Sequence, residues 1–193
     1  MGDGIREPLR RHEVNYAEKT LGVFISMDGN EKAEKKYLWE EAVTFADQMK
    51  IRKANKNACI YTYTASFMKT MEYPMAVTQF SKAKWNTIVA PPLQISLQKG
   101  GMSKNFPRAV FYGPDHYQGL HVMHPYFNQE ITHITTHVQE NVNVSQIGKL
   151  LQGSAEAFWL ELGLPFTLRT VTYDIVAPYL SDCWYKHLCK FVS

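Results

Sequence analysis

Apolar residues recur every three or four positions through most of this chain, and this spacing constrains its fold more than any other feature does. Such a period matches one face of an α-helix. It predicts helices over residues 31–49 and 58–71. Their apolar stripes are formed by Leu38, Ala42, Phe45 and Met49 and by Ile60, Tyr63, Phe67 and Met71. Pro74 is expected to end the second helix, because the residue before a proline is biased away from helical geometry.

A third helix is predicted to begin after Ser81. The Ser81 hydroxyl would accept a hydrogen bond from the first turn, while Phe80 and Trp85 stand at the two positions of a hydrophobic staple. Pro91 and Pro92 are expected to kink or interrupt this helix, since a proline lacks an amide hydrogen and clashes with the preceding turn.

The same spacing predicts three more helices in the C-terminal half. Their apolar positions are Phe127, Ile131, Ile134 and Val138; Ile147, Leu150, Leu151, Phe158 and Leu162; and Trp184, Leu188 and Phe191. Ser145 would cap the second of these, with Gly163 just past its end. Ser181 or Asp182 would cap the last.

Extended segments are short and few. Residues 20–25 are predicted to form a strand, because they are apolar, β-branched at three positions and followed by the turn residues 28–30. Residues 109–112 fit a short strand or a buried extended segment, and residues 168–173 alternate weakly, as an edge strand does. The predicted fold is therefore mainly helical, of the α+β class, with a short N-terminal strand or hairpin.

A chain of 193 residues fits one domain, or one domain with a small appendage. The best internal boundary lies where Gly100-Gly101 is followed by Asn105-Phe106-Pro107. We expect a frayed segment over residues 1–18, a first unit over 19–104 and a second unit over 105–193.

Positive charge is concentrated in the middle of the chain. Ten of the 21 Lys and Arg residues lie between Gln48 and Pro114, and Glu72 is the one acid among them, which gives this block a formal charge of +9. The two flanks each sum to −3. A cationic block of this kind suits a surface that binds phosphates. The alternative is a solvated face whose lysines serve solubility or complement the C-terminus of a helix.

Composition favours an intracellular protein, cytoplasmic or nuclear. No apolar run approaches the ~20 residues that a membrane-spanning helix needs. The first residues lack the apolar core of a secretory signal. The three cysteines, Cys59, Cys183 and Cys189, are odd in number and unevenly spaced, which suits free thiols in a reducing compartment.

Candidate catalytic and metal-binding residues are weakly patterned. Phe45-Ala46-Asp47-Gln48 resembles the aromatic-Ala-Asp-Asp turn of polymerases, but its second aspartate is replaced and it lies in a predicted helix. His133 and His137 share a helix face, yet no glutamate follows the first histidine; a polar helix flank is the alternative. Cys183, His187 and Cys189 lack a second pair of ligands. A small hydrolase or metalloenzyme is therefore disfavoured.

A series of short motifs follows a fixed order between Lys19 and Phe191. These motifs are Lys19-Thr20-Leu21-Gly22-Val23, Met27-Asp28-Gly29-Asn30, Tyr37-Leu38, Met68-Lys69-Thr70-Met71-Glu72-Tyr73-Pro74, Phe106-Pro107-Arg108-Ala109-Val110, Tyr112-Gly113-Pro114, Tyr117, Gly119-Leu120, Leu160-Glu161-Leu162-Gly163, Ser181-Asp182-Cys183-Trp184 and Lys186-His187. In order and spacing they resemble the region that follows the palm in reverse transcriptases of the non-LTR retrotransposon type.

This resemblance implies a primer-grip hairpin, a thumb-like helical bundle and a second small helical unit, the connection region. The primer-grip role falls on Leu21, Gly22 and Val23. A thumb holds the RNA/DNA primer–template duplex by its backbone, so it needs cations and no catalytic carboxylates. The residues expected to contact phosphates are Lys50, Arg52, Lys53, Lys56, Lys82, Lys84, Lys104 and Arg108.

The resemblance also implies that the fingers and the palm are absent from this sequence. The paired aspartates that bind Mg²⁺ belong to the palm, so no catalytic residue and no cofactor is expected in this chain. A separate palm-containing polypeptide is an expected partner, and the isolated chain is expected to lack polymerase activity.

Two positions depart from the family pattern. Gln118 and His121 stand where the family tends to have glycine in a tight turn, so a positive φ there would strain the backbone. Two alternatives therefore stay open. Besides being the primer–template-binding portion of a reverse transcriptase, the chain could be a stand-alone nucleic-acid-binding helical module or a degenerate, non-functional remnant of a retroelement.

Overall fold

The chain is mainly helical, with a two-stranded hairpin near its N-terminus, as the sequence predicts. A computed structural model describes residues 12–142, 145–163, 172–180 and 184–193. In chain order, the strands are β1 (Ala17–Thr20) and β2 (Val23–Ser26), and the helices are α1 (Lys32–Ile51), α2 (Lys56–Thr62), α3 (Met68–Met75), α4 (Lys82–Lys99), α5 (Arg108–Phe111), α6 (Pro125–Val142), α7 (Gln146–Leu162), α8 (Tyr173–Val176) and α9 (Trp184–Val192). A π-helical turn, Tyr63–Phe67, joins α2 to α3.

Two short strands and a turn stand where the sequence predicts a single strand over residues 20–25. Strand β1 pairs antiparallel with β2, and Thr20 stands opposite Val23. Leu21 and Gly22 form the turn between them, with φ values of 50° and 95°. A two-residue hairpin turn with both φ values positive matches the twist of the strands. The prediction of one continuous strand was wrong, because Leu21 and Gly22 reverse the chain direction.

The hairpin packs against the N-terminal half of α1. The backbone N–H of Phe24 donates to Glu34 Oε2 at 2.7 Å, and the Phe24 ring lies 5.5 Å from that of Tyr37. Lys19 Nζ stands 4.0 Å from the centroid of the Tyr37 ring. One edge of β2 is therefore fixed to α1 through a buried carboxylate.

Helices α1 and α4 lie side by side and parallel. At their N-terminal ends, Lys84 Nζ pairs with Glu31 Oε2 at 2.8 Å. At their C-terminal ends, Lys99 Nζ donates to the carbonyl oxygen of Lys50 at 2.6 Å. Between these ends, Leu38 and Ala42 of α1 share one apolar core with the buried side chains of α4.

Helix α4 begins as predicted and continues through its two prolines. The Ser81 side chain accepts from the Lys84 N–H at 3.3 Å, and the Phe80 and Trp85 rings pack 5.3 Å apart. Pro91 and Pro92 lie inside the helix, so of the predicted kink or interruption, the interruption does not occur. Burial of Pro92 together with Ile88, Val89 and Leu93 offsets the loss of amide donors, since each buried aliphatic side chain contributes about 1.5–3 kcal/mol.

The second predicted helix is present but contains a wider turn. Its core residues Tyr63, Phe67 and Met71 are buried as predicted. The helical run extends through α2, the π-helical turn and α3 to Met75, so Pro74 lies inside its last turn and does not end it beforehand. Burial of Pro74 and Met75 in the core stabilises that last turn.

Residues 109–112 form a helical turn, and the predicted strand or extended segment was wrong. The amide groups of Val110 and Phe111 both donate to the carbonyl oxygen of Pro107 at 3.1 Å, which closes the turn α5. The Phe111 side chain is fully buried beside Tyr63. The contact between Phe111 and Tyr63 therefore stabilises the helical conformation of this segment.

Helix α6 is present where its apolar positions predict it, but the face that is buried lies about 115° around the helix from the apolar stripe. Beyond Pro125 at its start, the buried side chains are polar: Gln129, Glu130, His133 and His137. Phe127, Ile131 and Val138 remain exposed. The apolar stripe therefore did not identify the buried face, because Gln129 and His133 make hydrogen bonds to Trp85 of α4 and to Met75 of α3 that aliphatic side chains could not make.

A second apolar core joins α7, α8 and α9. Its buried members are Ala155, Phe158, Val176, Leu180, Tyr185 and Cys189. Helix α7 has the predicted ends: Ser145 Oγ accepts from the Gly148 N–H at 2.9 Å, and Gly163 has a φ of 65°. The predicted edge strand at 168–173 lies mostly outside the described residues, as do the predicted caps Ser181 and Asp182.

The first core extends past the predicted boundary after residue 104. Phe111 and Val122 pack in the same core as Leu38 and Trp85. The segment that follows α4 therefore completes the packing of the first helices.

Candidate nucleic-acid interface

Five cations gather where α1 and α4 end and α2 begins. Lys50 lies in the last turn of α1, and Lys99 in the last turn of α4. The set, here called the basic end, consists of Lys50, Arg52, Lys53, Lys56 and Lys99. The first four are exposed to solvent. Sequence reasoning selected those four, and the structure brings them together.

Lys99 was not selected from the sequence, although it belongs to the cationic block and precedes Gly100-Gly101. Its Nζ donates to the carbonyl oxygens of Lys50 and Arg52 at 2.6 and 2.8 Å. These carbonyls end α1 and lack partners within the helix. Lys99 therefore joins the C-termini of the two parallel helices and holds the basic end together.

Gly101 leaves room for the Lys56 side chain, because glycine has no Cβ atom. A Cβ atom on Gly101 would lie 2.7 Å from Lys56 Cε, and Gly101 has a φ of +74°, which L-residues rarely adopt. The Asn55 side chain accepts from the Ala58 N–H at 2.8 Å and so starts α2 beside this lysine. The glycine pair predicted as a boundary thus also shapes the basic end.

Helix dipoles explain part of this cationic cluster without any ligand. Both α1 and α4 end here, and cations near a helix C-terminus contribute about 0.3–1 kcal/mol each. Lys50 also pairs with Asp47, Nζ to Oδ1 at 2.6 Å. Arg52, Lys53 and Lys56 extend beyond α1, and no acidic partner is found for them within the described residues.

Lys82 and Lys84 lie at the other end of α4. Fifteen residues separate Lys84 from Lys99, about 22 Å along a helix axis. Lys84 pairs with Glu31, and Lys82 Nζ stands 5.1 Å from the centroid of the Phe127 ring. The structure therefore does not bring these two lysines together with the basic end.

Lys104 and Arg108 follow α4 and are exposed. The Arg108 charge lies near the hydroxyls of Tyr63 and Tyr112. Burial raises the pKa of Tyr63 well above its ordinary value, the adjacent Tyr112 hydroxyl adds to this effect, and the Arg108 charge opposes it. Arg108 therefore stands beside the π-helical turn.

An open cleft of about 730 Å³ adjoins the basic end. Lys56 and Tyr61 lie on its α2 side, and Asp115 and His121 lie on the loop after α5. That loop is held closed by the His121 N–H, which donates to the Gly113 carbonyl at 2.9 Å. Sequence reasoning missed this cleft, because it forms only when the loop folds back on α2.

The residues with the predicted primer-grip role form the hairpin tip. Leu21 is 84 % exposed, whereas Val23 is buried. The hairpin contacts α1 near Tyr37, and thirteen residues separate Tyr37 from Lys50, about 20 Å along the axis. The hairpin tip and the basic end therefore lie toward opposite ends of α1.

The weak catalytic and metal candidates have structural partners. Asp47 is exposed inside α1, as predicted. His133 and His137 belong to a polar flank of α6, the predicted alternative to a metal site, and this flank is buried: His133 Nε2–H donates to the Met75 carbonyl at 3.0 Å, and His137 lies 3.1 Å from the Tyr185 hydroxyl. Burial lowers the pKa of both histidines. Cys183 lies outside the described residues.

Within residues 12–142, 145–163, 172–180 and 184–193, no group of three or more His, Cys, Asp and Glu side chains is placed to hold a metal ion. Over the same ranges, every helix is too short or too polar to cross a bilayer.

Comparison with known proteins identifies no relative. No protein-family model, no curated protein and no solved structure matches the chain significantly. Any function assigned to it therefore rests on its own residues, chiefly those of the basic end.

Proposed function

We propose that this chain binds nucleic acid through the basic end, as the thumb and connection portion of a reverse transcriptase of the non-LTR retrotransposon type. In this proposal it holds a primer–template duplex and has no polymerase activity of its own. The observation that supports it most is a group of four exposed cations where α1 ends and α2 begins: Lys50, Arg52, Lys53 and Lys56.

The chemistry of the basic end suits phosphates more than base edges. Lysine and arginine side chains neutralise backbone phosphates and release condensed counterions, which provides affinity without sequence preference. Asp47 is paired with Lys50 and neutralises one of the five charges. Binding is therefore expected to depend on the backbone and on salt.

The affinity of the purified chain for an RNA/DNA duplex tests the proposal. Replacing Lys50, Arg52, Lys53 and Lys56 by Glu is expected to lower affinity by at least about a hundredfold at low salt, since several phosphate contacts are lost. The matched control replaces Lys32, Lys36, Lys149 and Lys190 by Glu. These residues are exposed and lie outside the basic end, and the change in net charge is equal. Equal losses in both variants would reject the basic end as the contact surface.

A primer-extension assay tests the second half of the proposal. With Mg²⁺, nucleotides and a primed RNA template, the chain alone is expected to extend no primer, and a separate palm-containing polypeptide would supply catalysis. Extension by the purified chain would overturn this assignment.

One observation favours a second candidate, a degenerate remnant. Gln118 and His121 have φ values of 59° and 50°, in a region that favours glycine. Such strain is what loss of selection on the turn would leave behind. A remnant would bind the duplex no more tightly than the variant with Glu at Lys50, Arg52, Lys53 and Lys56 does, and this outcome separates the two candidates.

A further inference from the structure

The cleft beside the basic end has two unlike walls. Ile60, Tyr61 and Thr64 line one wall, and Asp115, Leu120 and His121 line the other. Its volume of about 730 Å³ lies within the range of roughly 300–1,000 Å³ typical of ligand sites. It is wide open to solvent, so an extended ligand can reach its walls.

The Tyr61 ring is the main apolar surface of the first wall. It is 72 % exposed, and among the described aromatic residues it stacks on none. An exposed tyrosine beside lysines is the combination by which proteins bind single-stranded nucleic acid, because any base can stack on the ring while the cations hold the backbone.

The π-helical turn provides an independent indication. It covers Tyr63–Phe67, immediately after α2, and contributes Thr64 to the cleft. Turns of this kind are rare and occur often at functional sites. The irregular backbone therefore coincides with the wall that carries Tyr61.

The charges around the cleft set the direction in which a nucleotide would lie. Asp115 lines the cleft and repels a phosphate, whereas Lys56 also lines it and belongs to the basic end. A phosphate is therefore favoured at Lys56, and the uncharged base is favoured inside. Asn57 and Thr64 offer hydrogen-bonding groups to base edges without selecting one base.

We propose that this cleft binds an unpaired base of single-stranded nucleic acid, stacked on Tyr61 with its phosphate at Lys56. The inference rests on the proposed binding of nucleic acid through the basic end. It adds that the chain recognises a junction between a duplex and a single-stranded overhang, with the duplex at the basic end and the overhang in the cleft.

Three probes test the inference: a blunt RNA/DNA duplex, the same duplex with a thymidine overhang of about four nucleotides, and the same overhang with abasic residues. The two overhangs carry equal phosphates and differ only in bases. The wild-type chain is expected to bind the thymidine overhang at least about fivefold more tightly than the abasic one. Tyr61→Ala should abolish this preference, and Tyr61→Phe should retain it.

Tyr179→Ala is the matched control, because Tyr179 is a tyrosine of similar exposure, 76 %, that does not line the cleft. It should retain the preference. Affinity for the blunt duplex should be equal in all variants, which also reports correct folding. Equal binding of both overhangs by the wild-type chain, with duplex binding intact, would overturn this inference alone. Absence of binding to every probe would overturn the proposed function as well.

Discussion

Backbone strain at single residues is the most local feature of this chain. Leu21, Gln118 and His121 are the non-glycine residues with positive φ in the described part of the sequence. For Gln118 and His121 the sequence already predicts that a positive φ would be strained, since the family that the chain resembles tends to have glycine in this turn. The structure gives both positions the backbone conformation that makes the absence of glycine costly.

Glycine at these positions is expected to stabilise the fold. A left-handed conformation costs a non-glycine residue about 1–2 kcal/mol, and the higher entropy of unfolded glycine cancels about 0.5–1 kcal/mol of the gain. Gln118→Gly or His121→Gly should therefore raise the free energy of unfolding by up to about 1 kcal/mol, measured by urea denaturation. Gln152→Gly, in the exposed middle of α7, should lower it by about 1 kcal/mol. If all three substitutions lowered the free energy of unfolding, the proposed backbone strain at Gln118 and His121 would be refuted.

His124 is a second residue whose state the structure fixes. Its Nδ1 accepts from the Tyr126 N–H at 3.1 Å, so its Nε2 carries the hydrogen and donates to Asn86 Oδ1 at 2.9 Å. Protonation of Nδ1 would break the first bond. Burial, with a smaller contribution from the Lys82 charge, lowers the pKa of His124 from 6.5 to about 4.

The folded chain therefore binds fewer protons at His124 than the unfolded chain between pH 6.5 and about 4. The contribution of neutral His124 to the free energy of unfolding is fully present above pH 6.5. It is lost as the pH falls toward 4, and the total loss is on the order of 2 kcal/mol. An NMR titration should show the His124 ring neutral down to about pH 5. A midpoint near 6.5 would contradict the buried, hydrogen-bonded state.

Among the helices, α6 departs most from expectation. Gln129 is 1 % exposed, and its Oε1 accepts from Trp85 Nε1 at 2.8 Å and from the Phe80 N–H at 3.1 Å. Its Nε2 donates to the Phe80 carbonyl at 3.1 Å. This one side chain therefore satisfies three buried polar groups at the start of α4 and determines which face of α6 turns inward.

Loss of Gln129 should be costly for the same reason. Gln129→Ala leaves three buried groups without partners, each worth about 1–3 kcal/mol, so we expect a loss of about 3 kcal/mol or more in unfolding free energy. Gln139→Ala, at an exposed position of the same helix, should change it by less than about 0.5 kcal/mol. Thermal or urea unfolding measures both. Similar small effects would mean that α6 does not pack through its polar face.

The sequence predicts helices well because their period and caps are local signals. Ser81, Ser145 and Gly163 bound their helices as predicted. The predictions that failed depend on distant partners: burial of Phe111 beside Tyr63 favours a helical turn at residues 109–112. The inward face of α6 follows from Gln129 and its partners on α4, which no periodicity reveals.

At the scale of the whole molecule, a block of charge that is continuous in sequence is divided in space. Four predicted phosphate contacts meet Lys99 at the basic end, whereas Lys82 and Lys84 lie at the opposite end of α4. Composition indicates the cationic block. Its division into two separate groups of cations follows from the parallel packing of α1 and α4, which composition does not show. The cleft likewise depends on a loop that folds back on α2.

The central claim is that the basic end binds a phosphate backbone, and salt dependence tests it most directly. About four phosphate contacts predict a slope of roughly −3 to −4 when the logarithm of duplex affinity is plotted against that of salt concentration. Replacing Lys50, Arg52, Lys53 and Lys56 by Gln should make the slope shallower by about 3. An affinity that does not respond to salt, or a slope unchanged by these substitutions, would contradict the account.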